Sequence, residues 1–138
     1  MTRMTERRVL VVDDNLEAAR SFAKMLECIL GHKVEFAING YAALDLAKKL
    51  RPEMVFLDLM MPGVNGFEVC KRLKTQFGEA IRIIAVTASN SEEDRKKSLK
   101  AGCELHLVKP VARQTLETLL AEAPRSVQQD VRTRVYPD

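Results

Sequence analysis

A doubly wound α/β fold, with five parallel strands alternating with five helices, is the class this sequence predicts, and three observations predict it. Short apolar runs recur without the alternation of a half-solvated strand, helical periodicities fill the intervals between them, and polar residues interrupt the runs at their carboxyl ends. The runs are Val9 to Val12, Met54 to Leu57, Ile81 to Val86 and Leu105 to Val108, with Val34 to Ala37 a weaker fifth. Strands that are apolar on both faces belong in a parallel sheet covered on both sides.

Between the runs, Leu16, Ala19, Ala23, Leu26 and Leu30 recur at three- and four-residue steps, as do Ala43, Leu46, Ala47 and Leu50. That spacing is the buried stripe of an amphipathic helix. Asn15 is placed to cap the first helix and Gly31 to end it, Ser91 with Glu93 and Asp94 suits the start of the fourth, and Pro52 and Gly102 mark helix exits. Right-handed crossovers put helices on both faces of such a sheet, and ligands bind beyond the carboxyl ends of its strands.

At 138 residues, 46% of them hydrophobic, the chain is long enough for one buried core and too short for two ordinary domains. The domain is expected over residues 7–122. From Ala123 the periodicity stops, and Pro124, Gln128, Gln129 and Pro137 make residues 123–138 a polar tail too small for an output domain. Acidic and basic residues are mixed along the chain, with a net charge of +3, and Arg125, Arg132 and Arg134 are offset by Asp130 and Asp138, so neither a nucleic-acid surface nor a membrane patch is expected. Met1 to Arg8 lacks the apolar stretch of a signal peptide, and no run is long enough to span a bilayer. Cys28, Cys70 and Cys103 form no C-x-x-C pair, which fits a reducing cytoplasm, and Cys70 and Cys103 are read as small packing residues.

The chemistry lies at the strand ends. Asp13 and Asp14 end the first run, Asp58 the third, Thr87 the fourth and Lys109 the fifth, which places all five at one edge of the sheet. Carboxylates brought together repel one another and call for a cation, and Mg²⁺ suits an all-oxygen, partly hydrated site, with Mn²⁺ as a substitute. A carboxylate is also a nucleophile toward phosphorus when nearby cations neutralise the equatorial oxygens during transfer.

Four segments, VVDDN at 11–15, DLMMPGVNG at 58–66, VTAS at 86–89 and VKPV at 108–111, resemble the receiver domain of bacterial two-component response regulators. The resemblance implies a flavodoxin-like sheet of order 2-1-3-4-5. It makes Asp58 the phosphoacceptor, Asp14 a direct Mg²⁺ ligand, Asp13 a ligand through water and the Met60 backbone carbonyl a further ligand. Lys109 pairs with the phosphoryl group, Thr87 supplies the switch hydroxyl, the Lys109–Pro110 peptide is cis, and Gly63 and Gly66 allow the loop after the acceptor. Met60 and Ser89 flank the path of the attacking water, and an apolar Met60 is expected to slow self-dephosphorylation. The implied protein is a phosphoacceptor switch rather than an enzyme. Its partners are a sensor histidine kinase or histidine phosphotransfer protein and a downstream target that reads the face of the fourth helix, fifth strand and fifth helix, with the domain itself a monomer or a phosphorylation-dependent dimer.

One position departs from the pattern. Three residues before Lys109 many stand-alone receivers carry Tyr or Phe, and this chain has His106, within AGCELHLVKPV, a stretch similar to receivers attached to sensor histidine kinases. Met1 and the missing output domain point instead to an independent regulator, and both origins stay open. His106 is read as a partly exposed imidazole packing at the sheet edge; a pH-linked switch is the sharper alternative, since histidine titrates near neutrality. His32, beside Gly31, is read as an exposed turn residue. The competing function is a phosphorylation-independent pseudo-receiver that binds partners. A hydrolase on the same architecture is disfavoured because Met60 stands where a second acidic residue is expected.

Overall fold

Alternate residues of the central strands enter opposite cores, which is why VLVV at 9–12 and MVFL at 54–57 are apolar throughout. In a computed structural model, which describes residues 7–61, 63 and 65–122, β1 (Val9–Val12), β2 (Glu35–Ala37), β3 (Met54–Leu57), β4 (Arg82–Thr87) and β5 (Leu105–Val108) form one parallel sheet of order β2-β1-β3-β4-β5. Helices α1 (Leu16–Leu30), α2 (Gly40–Leu50), α3 (Gly66–Phe77), α4 (Glu92–Ala101) and α5 (Arg113–Ala121) connect and follow the strands. Leu10, Val12, Val55, Leu57, Ile83 and Ala85 pack against α2 and α3, whereas Val9, Val11, Met54, Phe56, Ile84 and Leu107 pack against α1 and α5. Burying one such side chain contributes about 1.5–3 kcal/mol, and a one-residue slip would exchange the two faces, so the register is fixed.

The expected doubly wound class is the observed one. Three strand bounds differ by a residue from the apolar runs: β4 extends to Thr87, and β2 and β4 each begin one residue later. Val34 is buried before β2 begins, and Ile81 before β4 begins, because burial and ladder pairing do not start at the same residue. The residues at 1–6 and the polar tail at 123–138 lie outside the described residues.

Helix starts at the carboxyl edge are set by side-chain caps. Asn15, Asn39, Asn65 and Ser91 accept hydrogen bonds from the N–H groups of Ala18, Ala42, Glu68 and Asp94 at 2.8–3.1 Å. Each satisfies a donor that the first helical turn leaves free. Gly31 and Gly102 take left-handed conformations at the ends of α1 and α4, and at the end of α2 the left-handed residue is Arg51, one before Pro52.

The opposite edge holds an ionic cluster. Arg82, 1% exposed, lies inside the apolar run of β4 and donates to Glu104 at 2.6 and 3.1 Å and to Glu122 at 2.9 Å. Arg7, also buried, donates to the carbonyls of Leu120 and Glu122. The start of β1, β4, the entry to β5 and the end of α5 are thus tied through two guanidinium groups. Removing one member of a buried pair leaves its partner charged and uncompensated. Arg82→Ala is expected to lower unfolding free energy by about 3–5 kcal/mol, read as a lower urea midpoint at unchanged slope.

Candidate functional site

Hydrogen bonds across the sheet bring the chain segments after β1 and β3 to one level. The Asp13 N–H donates to the Ala37 carbonyl at 3.1 Å, and the Asp58 N–H to that of Val12 at 2.9 Å. Carboxylate oxygens of Asp13, Asp14 and Asp58 then lie within 4.8 Å of one another, with Asp13 and Asp58 buried and Asp14 exposed. Lys109, which follows β5, sends its Nζ to Asp13 Oδ2 at 2.7 Å and to Asp58 Oδ2 at 3.3 Å. One ammonium among three carboxylates leaves an excess of two negative charges. Like charges about 4 Å apart repel by about 4 kcal/mol at an effective dielectric near 20, so the group is suited to a divalent cation held by oxygen ligands.

Local turns fix the remaining carboxylate oxygens. Asp13 Oδ1 accepts from the Asn15 N–H at 2.9 Å, and Asp58 Oδ1 from the Met60 N–H at 3.0 Å. The Met60 side chain is exposed and that of Met61 buried. Gly66 cannot carry a side chain, since a Cβ there would stand 2.3 Å from Leu59 Cα and 2.5 Å from the Asp58 carbonyl oxygen. Gly63 has φ +75°, a conformation that favours glycine. Lys109–Pro110 is cis. Thr87 ends β4 beside the site: its carbonyl accepts from the Lys109 N–H at 2.9 Å, while its fully buried hydroxyl has no hydrogen-bond partner among the described residues. A cavity of about 270 Å³ runs from Asp13, Asp58 and Lys109 along Phe22, Phe56 and Val86.

His106 is 3% exposed, which corrects the expectation of a partly exposed imidazole. Although β5 is an edge strand, α4 covers it, and the ring is held at both nitrogens. Nδ1 lies 2.9 Å from Ser98 Oγ on α4, and Nε2–H donates to the Ser89 carbonyl at 3.1 Å. Ser89 Oγ in turn donates to Asp94 Oδ2 at 2.6 Å. The loop after Thr87 is therefore fastened to both β5 and α4 at Ser89. Asp94 is read from the sequence only as part of a helix start, and Ser98 is not singled out; the signal available for both is only their place on a polar helix. His32 is half-buried rather than exposed, in the turn after α1, where its ring contacts the Lys33 carbonyl at 3.0 Å.

Burial pushes the Asp58 carboxyl above the usual aspartate range, and the Met60 N–H and Lys109 only partly offset it. For Lys109, burial acts downward, but the contacts with Asp13 and Asp58 outweigh it and hold the ammonium above the ordinary lysine value. A carboxyl whose folded pKa is raised contributes stability that is present below the unfolded aspartate pKa and lost as pH rises through the folded one. In metal-free buffer, wild type is therefore expected to lose stability relative to Asp58→Asn as pH rises from about 3.9, with Asp58→Asn the more stable at neutral pH. Urea midpoints of the two proteins across that range check this.

Residues 9–121 match the family model described as the response regulator receiver domain. The chain is 42% identical over 114 residues to "Response regulator MprA" of Mycobacterium sp. (strain KMS), covering 83% of this chain and 47% of that protein. Its identity to the MprA of Mycobacterium avium (strain 104) is 40% over 114 residues, covering 83% and 48%. It thus spans about half the length of these curated relatives. Among solved structures it is similar to the chemotaxis protein CheY4 of Vibrio cholerae (TM-score 0.75, 31% identity, 83% of this chain and 95% of that one). It is also similar to the signal receiver domain of a DNA-binding response regulator from Colwellia psychrerythraea 34H (TM-score 0.76, 28% identity, 85% and 100%). With the parallel sheet of order 2-1-3-4-5 and the acidic carboxyl edge already in place, the match over nearly the whole described chain makes this protein a member of the response regulator receiver domain family.

Proposed function

We propose that the protein is the phosphoacceptor module of a two-component phosphorelay, with Asp58 taking a phosphoryl group from a phosphohistidine. The observation that carries this reading is the convergence of Asp13, Asp14 and Asp58 within 4.8 Å, with Lys109 bonded to two of them and the Thr87 hydroxyl buried nearby without a partner among the described residues. A buried hydroxyl without a partner costs about 1–3 kcal/mol, and a phosphoryl oxygen on Asp58 would satisfy it.

In the proposed reaction a carboxylate oxygen of Asp58 attacks phosphorus in line, the P–N bond of the phosphohistidine breaks, and its electron pair returns to the imidazole. Asp13, Asp14, Asp58 and the Met60 backbone carbonyl would hold Mg²⁺, or Mn²⁺ in its place. When bound, that ion supplies positive charge opposite the equatorial oxygens. Lys109 would transfer its ion pair from Asp58 to the phosphoryl group, and Thr87 would donate to a phosphoryl oxygen. Movement of Thr87 toward the phosphate would pull on Ser89, two residues on, and so on the bond that joins it to His106. Met60 and Ser89 would flank the approach of hydrolytic water. The apolar cavity beside Asp58 offers the donor imidazole a water-poor approach.

The receiver domain in this reading occupies residues 7–122 and is a self-assisting switch rather than an enzyme. Its donor is a histidine kinase or phosphotransfer protein, and its output is read by a protein at the α4–β5–α5 face. Phosphorylation would shift a pre-existing equilibrium through contacts that only the modified state makes. No helix among the described residues is long and apolar enough to cross a membrane, which is compatible with the cytoplasmic setting we propose. The expectation of no nucleic-acid contact is kept for these residues alone.

Incubating the protein with acetyl phosphate and Mg²⁺, with Asp58→Ala in parallel, tests the reading by intact mass. One phosphoryl group is expected on the wild type, none on Asp58→Ala and none after chelation of the metal. No mass gain on the wild type under any phosphodonor would favour a pseudo-receiver.

A further inference from the structure

Cys70 and Cys103 stand 33 positions apart in sequence, yet their sulfurs are 3.3 Å apart. Cys70 projects from the first turns of α3, and Cys103 lies between the end of α4 and β5. Both are buried, Cys70 fully, and both are free thiols, whereas Cys28 is exposed. The contact is built from both sides. Cys70 Sγ also reaches the Ala101 carbonyl at 3.4 Å, and the left-handed Gly102 turns the chain there, where a Cβ would stand 2.7 Å from Lys74 Cγ and 3.6 Å from Cys70 Sγ. Lys74 is itself fixed, its Nζ donating to the Ile81 carbonyl at 3.1 Å. The side chains that surround the two sulfurs therefore hold them against each other.

We propose that Cys70 and Cys103 are a modification site, a buried dithiol that hydrogen peroxide converts into an intramolecular disulfide joining α3 to the turn between α4 and β5. Cys70 is the attacking sulfur: the Cys103 thiol bonded to it, and the positive charge of Lys74, hold its proton affinity below the ordinary thiol value despite burial, while the same contact pushes Cys103 up. The Cys70 thiolate attacks one peroxide oxygen, the O–O bond breaks, and the departing hydroxide takes a proton to become water. The resulting sulfenic acid is then attacked by the Cys103 sulfur. The S–S bond forms as the S–O bond breaks, the second oxygen leaves as water, and the two sulfurs have given two electrons to the peroxide. Burial selects the oxidant. A small uncharged peroxide reaches the pair during local opening, whereas a bulky disulfide such as oxidised glutathione does not. The cross-link would restrain the end of α4 against α3.

The test uses the full chain carrying Cys28→Ser, so that no exposed thiol competes. Native protein is exposed to hydrogen peroxide, quenched with catalase, unfolded in guanidinium with N-ethylmaleimide and weighed intact, then digested without reduction. Expected are a species lighter by two hydrogens that takes up no label, a digest peptide linking Cys70 to Cys103, and recovery of both labels after dithiothreitol. With Cys103→Ser added, which keeps a hydrogen-bond donor beside Cys70 and removes the resolving sulfur, the reaction is expected to stop at a Cys70 sulfenic acid that dimedone traps. Two labels per chain after peroxide treatment, or Cys70 and Cys103 oxidised separately without a linked peptide, would overturn the proposal. Neither result bears on whether Asp58 accepts a phosphoryl group.

Discussion

The contact of the Lys109 ammonium with Asp13, extended to Asp58, is the constraint around which the carboxyl edge is arranged. Strand order places β4 between β3 and β5, so Lys109 must reach past the end of β4 to meet carboxylates that leave β1 and β3. Only a long side chain spans that gap, and the residue it passes is Thr87. Charge alone explains why the arrangement is incomplete without a further cation. Burial holds the Asp58 proton affinity up, Lys109 offsets part of that, and two negative charges still stand unmatched. A site in that condition favours whatever brings positive charge to it.

Positioning these side chains falls to the strands and helix caps around them. Strands buried on both faces cannot slip, and asparagine and serine caps two to eight residues beyond the strand ends fix where four helices begin. The ionic cluster of Arg7, Arg82, Glu104 and Glu122 performs the corresponding task at the far edge. Between the two edges, His106 links the loop after Thr87 to α4 by hydrogen bonds. An aromatic hydrocarbon at that place has no polar atom to bond Ser89 or Ser98, so any signal from Thr87 in this chain must break or carry polar contacts.

Much of this was legible in the sequence because one-dimensional patterns encode it directly. Strand ends carrying Asp13, Asp58, Thr87 and Lys109 identify a sheet edge without coordinates, and Asn15 and Gly31 bracket α1 as caps should. What was not legible depends on partners distant in sequence. Arg82 stands inside the run read as apolar, and nothing local names Glu104 and Glu122 as its acceptors. His106 was placed at the surface because β5 is an edge strand, and only the packing of α4 buries it. Cys70 and Cys103 carry no spacing motif at all, since their meeting follows from how α3 and the end of α4 pack.

The central claim is that the carboxyl edge binds a divalent cation through Asp13, Asp14 and Asp58. A Mg²⁺ titration followed by amide NMR tests it most directly, in wild type and in Asp13→Asn. The account predicts saturable one-to-one shifts centred on residues 13, 14, 58 and 60 and extending to Thr87 and Lys109, with affinity weakened about tenfold or more in the variant, the loss expected for a residue that holds the ion through water. Shifts that are absent, non-saturable or unaltered by Asp13→Asn would contradict it.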